Sequence, residues 1–356
     1  MESMPAAAIA VTVGVDTHLD QHVAAVIDQS GRLCGTKAFA ASTRGYVALV
    51  TWAERFGPVE RIGVEGTGTY GAGLARFVRA YGLQVVEVDR PDRSTRRRHG
   101  KSDPIDAQAA ARATLAGVAT TIPKTREGQV EMIRVLRVAR RGALKARVAA
   151  AEQLHGVLHS APEELRQPLL GLKTKTLVEL CAAMRPGPVT STTAATKTSL
   201  RTLARRWQQL QAELDQLDTQ LQMLVAAAAP TLVALPGVAV DSAGQLLVTA
   251  GDNPQRLRSE AAFAHLCGVS PIPASSGRTD RHRLNRGGDR RANNALWRIA
   301  LVRMRCHPPT RAYVERRTSQ GLSKLDIMRC LKRYIAREVY HHLTDPPAIT
   351  PATCPK

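Results

Sequence analysis

Residues 61–70 read RIGVEGTGTY, an apolar run that leads into a glycine-rich turn. The β-branched residues Ile62 and Val64 predict a strand that ends at Glu65. Glycines at positions 66, 68 and 71 keep the following turn thin. The carboxylate is therefore expected at a strand end that a bulky, charged group can approach.

Acids also end or begin the elements predicted on either side of this run. VTVGVD, residues 11–16, predicts a buried strand that ends at Asp16. KSDPIDA, residues 101–107, predicts a helix start that carries Asp103 and Asp106. These two aspartates are three positions apart and share one helix face. Taken alone, the pair is better explained as helix capping than as a metal site.

The order of predicted elements indicates the fold class of the first 125 residues. Apolar runs at 8–16, 23–27 and 33–39 predict an antiparallel meander. A helix, the strand of Glu65, a second helix and the strand at 83–89 follow. Strands in hairpins followed by alternating strands and helices predict an α/β domain with a mixed sheet. The element order resembles that of ribonuclease-H-like folds.

Four acids therefore occur in the order Asp, Glu, Asp, Asp on two strand ends and one helix start: Asp16, Glu65, Asp103 and Asp106. Oxygen ligands that converge from separate elements suit Mg²⁺, and two ions ~4 Å apart support phosphodiester chemistry. A basic loop directly before the last two acids would hold substrate phosphates, through Arg96, Arg97, Arg98 and Lys101. The set predicts a magnesium site beside a polyanion.

Charge and composition narrow the class of partner. Fifty Lys and Arg against thirty Asp and Glu give a net charge of +20, which favours a polyanionic partner. Residues 278–337 alone hold 17 basic and 4 acidic side chains. Only 4% of the chain is aromatic, so phosphate contacts should dominate over base stacking, and binding should weaken with salt.

Length, hydropathy and cysteine placement argue against a single-domain protein, a membrane protein and a protein held together by zinc or disulfides. A chain of 356 residues predicts two or more domains. No apolar run approaches the ~20 residues that cross a bilayer, so we expect no membrane partner and a cytoplasmic location. The six cysteines have neither CxxC nor Cys/His spacing, which indicates neither a zinc site nor a disulfide framework.

The middle of the chain predicts two long helices. The first, residues 126–160, is basic. His155 and His159 on this helix have the spacing of metal ligands but lack acidic or Cys partners nearby, so we expect both to be surface residues. The second helix has a seam with spacings of three and four, typical of a coiled coil: Leu200, Leu203, Trp207, Leu210, Leu214, Leu217, Leu221 and Leu224. Its partner is either the basic helix or the same helix of another subunit, and its regularity favours self-association.

The C-terminal third predicts helices around two loops. LPGV, residues 235–238, is typical either of a helix-hairpin-helix, whose turn binds phosphates, or of a plain helical turn. A later Gly- and Ser-rich loop precedes a helix near Asp289 and is ringed by Arg278, Arg281, Arg283, Arg286, Arg290 and Arg291. A serine there is usually a turn residue. A nucleophile that attacks phosphorus is the alternative, which the residues alone do not favour.

Six motifs together resemble one family: VGVDTH, VEGTGTY, KSDPIDA, LPGV, GVSPIPASSG and LNRGGDRRANNAL. In this order and at these separations they resemble the DEDD-type insertion-sequence transposases of family one-hundred-and-ten, the bridge-RNA-guided recombinases. The resemblance covers residues 11–343. It implies a RuvC-like domain at 1–125, a helical coiled-coil spacer at 126–229 and a mainly helical transposase domain at 230–343, before a Pro-rich tail at 344–356.

The resemblance also implies site residues and partners. By motif, the catalytic set is Asp16, Glu65, Asp103, Asp106 and Ser276, with Ser275 adjacent as the other candidate nucleophile. The implied partners are Mg²⁺, double-stranded DNA of the element ends and target, a structured bridge RNA, and further copies of the chain in a homodimer that assembles into a tetramer. The chain departs from the family pattern in two places. Ala239 replaces a frequent glycine, and residues 284–289 read Leu-Asn-Arg-Gly-Gly-Asp where the family often has Ile-Ser-Lys, a variable residue and Gly-Asn. Asp289 is expected to alter a phosphate or helix-cap contact.

The expected function is site-specific DNA recombination through a covalent phosphoserine. Two alternatives stay open. A metal-dependent ribonuclease-H-like nuclease or junction resolvase would use the acids with water and leave the serine idle. A non-catalytic nucleic-acid-binding protein would use the acids only for capping and solvation. The basic composition fits all three.

Overall fold

The computed structural model describes residues 9–89, 102–278 and 282–344. Contacts divide the chain into unit 1, residues 1–128 with 250–258, and unit 2, residues 129–249 with 259–356. Several residues singled out in the sequence lie outside the described residues: Arg96, Arg97, Arg98, Lys101, Arg281 and the Pro-rich tail. The predicted domain limits stay predictions.

Unit 1 is built on one five-stranded sheet. Its strands are β1 Val11–Thr17, β2 Gln21–Asp28, β3 Leu33–Ala40, β4 Val59–Glu65 and β5 Gln84–Val88. The spatial order is β3-β2-β1-β4-β5. The first three strands pair antiparallel as a meander, and β1, β4 and β5 run parallel. The predicted mixed sheet is confirmed, and its arrangement is compatible with a ribonuclease-H-like fold.

Helices cover both faces of this sheet. Helices α1 Thr43–Glu54 and α2 Ala72–Ala80 bury an apolar core against one face, which includes Val13 and Ile62. Successive side chains along a strand point to opposite faces, so the residues next to Val13 and Ile62 in the sequence point to the other face of the sheet. Helix α3, Asp103–Leu115, packs against that other face. Burial of each large apolar side chain contributes about 1.5–3 kcal/mol to the core.

Unit 2 begins with two long helices. They are α4 Gln129–His159 and α7 Thr192–Ala228, and between them lie α5 Glu163–Arg166, a 3₁₀ turn at Gln167–Leu169 and α6 Thr174–Ala183. Two contacts show that α4 and α7 run antiparallel: Arg140 pairs with Asp218, and Leu154 near the end of α4 packs with Leu200 near the start of α7. The basic helix of the same chain is therefore a partner of the leucine seam.

The seam is unevenly buried. Leu200, Leu214 and Leu221 are at most 3% exposed, whereas the row made of Leu203, Leu210, Leu217 and Leu224 is only half-buried. Self-association through this helix stays a prediction. His155 is half-buried and His159 is exposed.

The rest of unit 2 is mainly helical. Its elements are α8 Pro230–Val233, α9 Val240–Ala250, α10 Glu260–Leu266, β6 Ile272–Pro273, β7 His282–Arg283, α11 Arg290–Cys306, α12 Pro308–Ser319 and α13 Lys324–Thr344; a 3₁₀ turn at Pro254–Arg256 belongs to unit 1. Arg303 on α11 donates to the Pro236 carbonyl at 2.7 Å and holds the Pro-Gly turn. Among the described residues, no helix has an apolar stretch that would span a bilayer.

Candidate functional site

Two of the predicted acids lie side by side at one edge of the sheet in unit 1. Asp16 is the penultimate residue of β1, and Glu65 is the last residue of β4. These strands are parallel, with Val15 opposite Val64, so the next residue of each strand carries its carboxylate at the same edge. Asp16 is 7% and Glu65 8% exposed. Two buried carboxylates on adjacent strands need cations or hydrogen-bond donors nearby.

Helix α3 reaches this edge because two side chains are missing beneath it. Gly14 and Gly63 each stand two residues before an acid, and both face the helix backbone. A Cβ at Gly14 would lie 2.7 Å from Cα of Ala111, and a Cβ at Gly63 would overlap the Thr114 hydroxyl. The pattern of glycine, valine and acid on both strands thus positions α3 as well as the carboxylates.

The first turn of α3 carries the other two acids to the same place. Asp106 is buried and Asp103 is partly exposed. Burial raises the pKa of Asp16; His18 opposes the rise, and the carboxylates of Asp106 and Asp103 add to it. Ser102 stands at the helix N-cap without a side-chain cap hydrogen bond. The capping interpretation of this segment therefore lacks its characteristic bond at Ser102.

A histidine that was not among the predicted site residues bridges two of the acids. Nε2 of His18 lies 3.1 Å from Oδ2 of Asp16 and 3.4 Å from Oδ1 of Asp103. Ligand atoms of these three residues lie within 4.8 Å of one another, close enough to share a metal ion. Carboxylate oxygens suit Mg²⁺ and Mn²⁺, and an imidazole nitrogen extends the choice towards transition metals. The donor set fits a divalent cation. The VDTH motif was the available signal, since it places His18 two residues after Asp16.

The serine loop lies in unit 2. Ser276 and Ser275 are both exposed and follow β6 in the hairpin that β6 and β7 form, and Gly277 after them adopts a φ of 56°. All of the described predicted cations around the loop are exposed: Arg278, Arg283, Arg286, Arg290 and Arg291. An exposed hydroxyl among exposed guanidiniums is accessible to a phosphodiester. The acids belong to unit 1 and the serines to unit 2.

Asp289 has the helix-cap role that its departure from the family pattern suggested. Its Oδ1 accepts from the backbone N–H of Arg291 at 2.8 Å, and its Oδ2 accepts from the Thr249 hydroxyl at 2.8 Å. A carboxylate at this position also interacts favourably with the dipole of α11. The residue therefore stabilises the start of α11.

Comparisons with known proteins match both units. A model of DEDD-type IS110 transposases matches residues 13–161, which contain all four acids. A model described as "Transposase IS116/IS110/IS902 family" matches residues 229–315, which contain both serines. The two matches occur in the order that the motifs predicted.

Two curated relatives are similar over part of the chain. The "Insertion element IS110 uncharacterized 43.6 kDa protein" of Streptomyces coelicolor is 32% identical over 36% of this chain. The "Insertion element IS900 uncharacterized 42 kDa protein" of Mycobacterium paratuberculosis is 28% identical over 35% of it. In each case the match spans 32% of the relative's own length. Because two models of one family together cover more than half of the sequence, the chain belongs to the IS110 family of transposases.

Proposed function

We propose that this protein is a site-specific DNA recombinase that excises and inserts an insertion sequence through a covalent phosphoserine. The observation that carries the proposal is the cluster at the sheet edge, where Asp16 and Asp103 meet around His18. Such a cluster suits divalent-metal chemistry on a phosphodiester. Membership in a transposase family supports DNA as the substrate.

The acids of unit 1, in a RuvC-like domain, are the proposed metal ligands. Asp16 and Asp103 would hold the ion directly, with Glu65 and Asp106 beside them, and the fifth candidate ligand is His18. A bound Mg²⁺ would neutralise charge on the phosphate and polarise its oxygens. Burial favours this role, since desolvated carboxylates without a cation are costly.

Ser276 is the proposed nucleophile. Its Oγ would form a bond to phosphorus while the bond from phosphorus to the leaving deoxyribose oxygen breaks, and the hydroxyl proton would pass to that oxygen. A free hydroxyl of another strand would then attack the phosphoserine and release Ser276. One phosphodiester is exchanged for another, so the cycle needs no nucleotide energy source. Exposed arginines around the loop would neutralise the attacked phosphate.

The proposal includes an assembly. The acids and the serine lie about 170 residues apart and in different units. Following the family resemblance, we propose that the acids of one subunit act with the serine of another in a tetramer built from two homodimers, using the half-buried leucine row of α7 as a contact. A structured bridge RNA would supply sequence choice by base pairing, and the protein would recognise backbone and shape.

Two variants test the function against its alternatives. Purified protein would be incubated with element-end DNA, target DNA, the bridge RNA and Mg²⁺, and covalent adducts and exchanged strands would be resolved on denaturing gels. We expect Ser276→Ala to abolish the covalent adduct and strand exchange, with Ser275→Ala as the matched control that retains both. Unchanged cleavage by Ser276→Ala would instead support a nuclease that uses water.

The double variant Asp16→Asn with Glu65→Gln addresses the third possibility. We expect it to lose cleavage and the binding of Mn²⁺, which isothermal titration calorimetry detects directly. If cleavage and metal binding both persist, the acids are not the metal site and the proposed mechanism fails. If the wild-type protein binds DNA without cleaving it under any divalent cation, a non-catalytic binding protein is the better description.

A further inference from the structure

A cavity of about 390 Å³ opens at the base of the β6–β7 hairpin in unit 2. Residues from three separate segments line it, among them Gly268, Arg283, Asn285 and Lys332. A neighbouring pocket of about 280 Å³ shares Gly268, Asn285 and Lys332 and adds further residues of the LNRGGDRRANNAL motif. Lys332 is therefore the one ammonium group common to both spaces.

Lys332 is held in these pockets by a neutral partner. Its Nζ donates to Oδ1 of Asn293 at 2.9 Å. Burial lowers the pKa of Lys332, and the charge of Arg329 lowers it further. Among the described residues, no carboxylate forms an ion pair with this ammonium. A half-buried charge with only a neutral partner attracts an anion more strongly than a fully solvated lysine does.

The other nearby cations on α13 have acidic partners. Arg329 pairs with Asp326 at 2.6 Å, and Arg333 pairs with Glu260 at 3.2 Å. Their charges are largely neutralised within the chain. Of the cations that α13 contributes to the cavity, Lys332 is therefore the one without an acidic partner among the described residues.

The partner of Lys332 is rigidly oriented. Nδ2 of Asn293 donates to the carbonyls of Cys267 and Gly268, at 3.2 and 2.9 Å, so its amide oxygen is turned towards the ammonium. Asn285 is buried and donates to the His265 carbonyl at 2.9 Å. Gly268 also approaches Gly288 so closely that a Cβ at Gly288 would overlap its backbone nitrogen. The motif residues thus build a preorganised wall rather than a flexible loop.

We propose that Lys332 binds a non-bridging phosphate oxygen of the DNA strand that lies along the serine hairpin. The pocket is continuous with the exposed arginines at positions 283, 286 and 290, which line one or other of the two spaces and suit an extended polyanion better than a small anion. Lysine binds phosphate as a point charge and tolerates sequence variation in the DNA. This inference rests on the proposed function, because strand chemistry at Ser276 would place DNA on this hairpin.

The test is the salt dependence of DNA binding by the full-length protein. Lys332→Gln removes the charge and keeps an amide that donates to Asn293. The matched control is Lys324→Gln, which removes the same charge from an exposed position of α13 outside the cavity. The affinity for a short duplex DNA would be measured by fluorescence anisotropy over a series of KCl concentrations, without divalent cations.

We expect Lys332→Gln to bind about 5–10-fold more weakly and to lower the slope of log K against log salt by about one ion. Lys324→Gln should change the affinity less than about twofold and leave the slope unchanged. The melting temperature of Lys332→Gln should not fall below that of the wild-type protein, because the substitution removes a desolvated charge. An unchanged melting temperature would exclude misfolding as the cause of weaker DNA binding. An unchanged slope in Lys332→Gln, or equal losses in both variants, would overturn the proposal.

Because DNA binding is measured without divalent cations, the result does not depend on strand cleavage. The test of the phosphate site is therefore independent of the test of the recombinase mechanism. If Ser276 forms the adduct while Lys332→Gln binds normally, the phosphate site fails and the function stands. If Lys332→Gln lowers the slope while no adduct forms, the phosphate site stands and the mechanism fails.

Discussion

Replacement of Gly14 by alanine should separate α3 from the sheet and dismantle the acidic cluster. The added Cβ would lie 2.7 Å from Cα of Ala111 and nearer still to its backbone nitrogen and to the Ala107 carbonyl oxygen. These are backbone atoms of a buried helix, so no side-chain rotation relieves the overlap. The helix must retreat until the contact reaches the ordinary 3.4–4 Å.

The expected cost follows from that displacement. A retreat of at least ~1.4 Å is needed to bring the nearest contact, with the Ala111 backbone nitrogen, to an ordinary distance, and overpacking of this kind costs about 1–3 kcal/mol in a well-packed core. The melting temperature should fall by several degrees, at about 2–4 °C per kcal/mol. Metal sites tolerate only about 0.2 Å of ligand displacement. A shift that carries Asp103 and Asp106 away from Asp16 should therefore weaken Mn²⁺ binding at least about tenfold.

The assay combines differential scanning calorimetry with Mn²⁺ titration, and Gly142→Ala is the matched control. Gly142 lies inside α4, and nothing within 4 Å would meet its Cβ. The same chemical change there should stabilise the protein by about 0.5–1 kcal/mol, since alanine is the better helix former. Metal affinity should be unaffected by the control. If Gly14→Ala has the same melting temperature as the wild-type protein and binds Mn²⁺ equally well, the close packing of α3 against Gly14 is wrong.

Two further predictions concern unit 2. Burial alone would raise the pKa of Asp241, but Arg137 and Arg298 outweigh burial and hold the pKa of this carboxyl below its ordinary value. The ionised carboxylate therefore stabilises the folded state fully above the unfolded-state pKa, and this stabilisation is lost as the pH falls through the folded-state pKa. Asp241→Asn should cost about 1–2 kcal/mol at neutral pH, and urea unfolding should show the deficit vanish in strong acid, whereas a pH-independent deficit would refute the ion pairing. Leu214→Ala, at a buried seam position, should cost about 2–5 kcal/mol and Leu217→Ala, half-buried, markedly less; equal losses in urea unfolding would indicate that a second partner covers the outer row.

Local chemistry made much of unit 1 predictable. The β-branched runs before Asp16 and Glu65 predicted two strands that end in acids, and alternation with helices predicted a mixed sheet. Both are properties of residues within a few positions of each other, so a single sequence contains them. The start of α3 at Asp103 was predictable for the same reason, because Pro104 suits the first turn of a helix.

Contacts between distant segments were less accessible. His18 was not singled out, because its role depends on Asp103 in another element 85 positions later. The leucine row of α7 was predicted to form a coiled-coil seam, and its partner was left open between the basic helix and another subunit, because a leucine row fits any complementary helix. Lys332 had no signal at all, since its partner Asn293 lies on a different helix.

The amino-acid sequence by itself determined the strands and helices of unit 1 and the two long helices of unit 2, that acids lie near the ends of two strands and at the start of one helix, and that the chain is strongly basic. Only the tertiary structure decided that the two glycines beneath α3 bring these acids to one edge, that His18 joins them, and that Lys332 donates to the neutral amide of Asn293. The physical reason is that secondary structure follows from near neighbours along the chain, whereas a site depends on distances that exist only after packing.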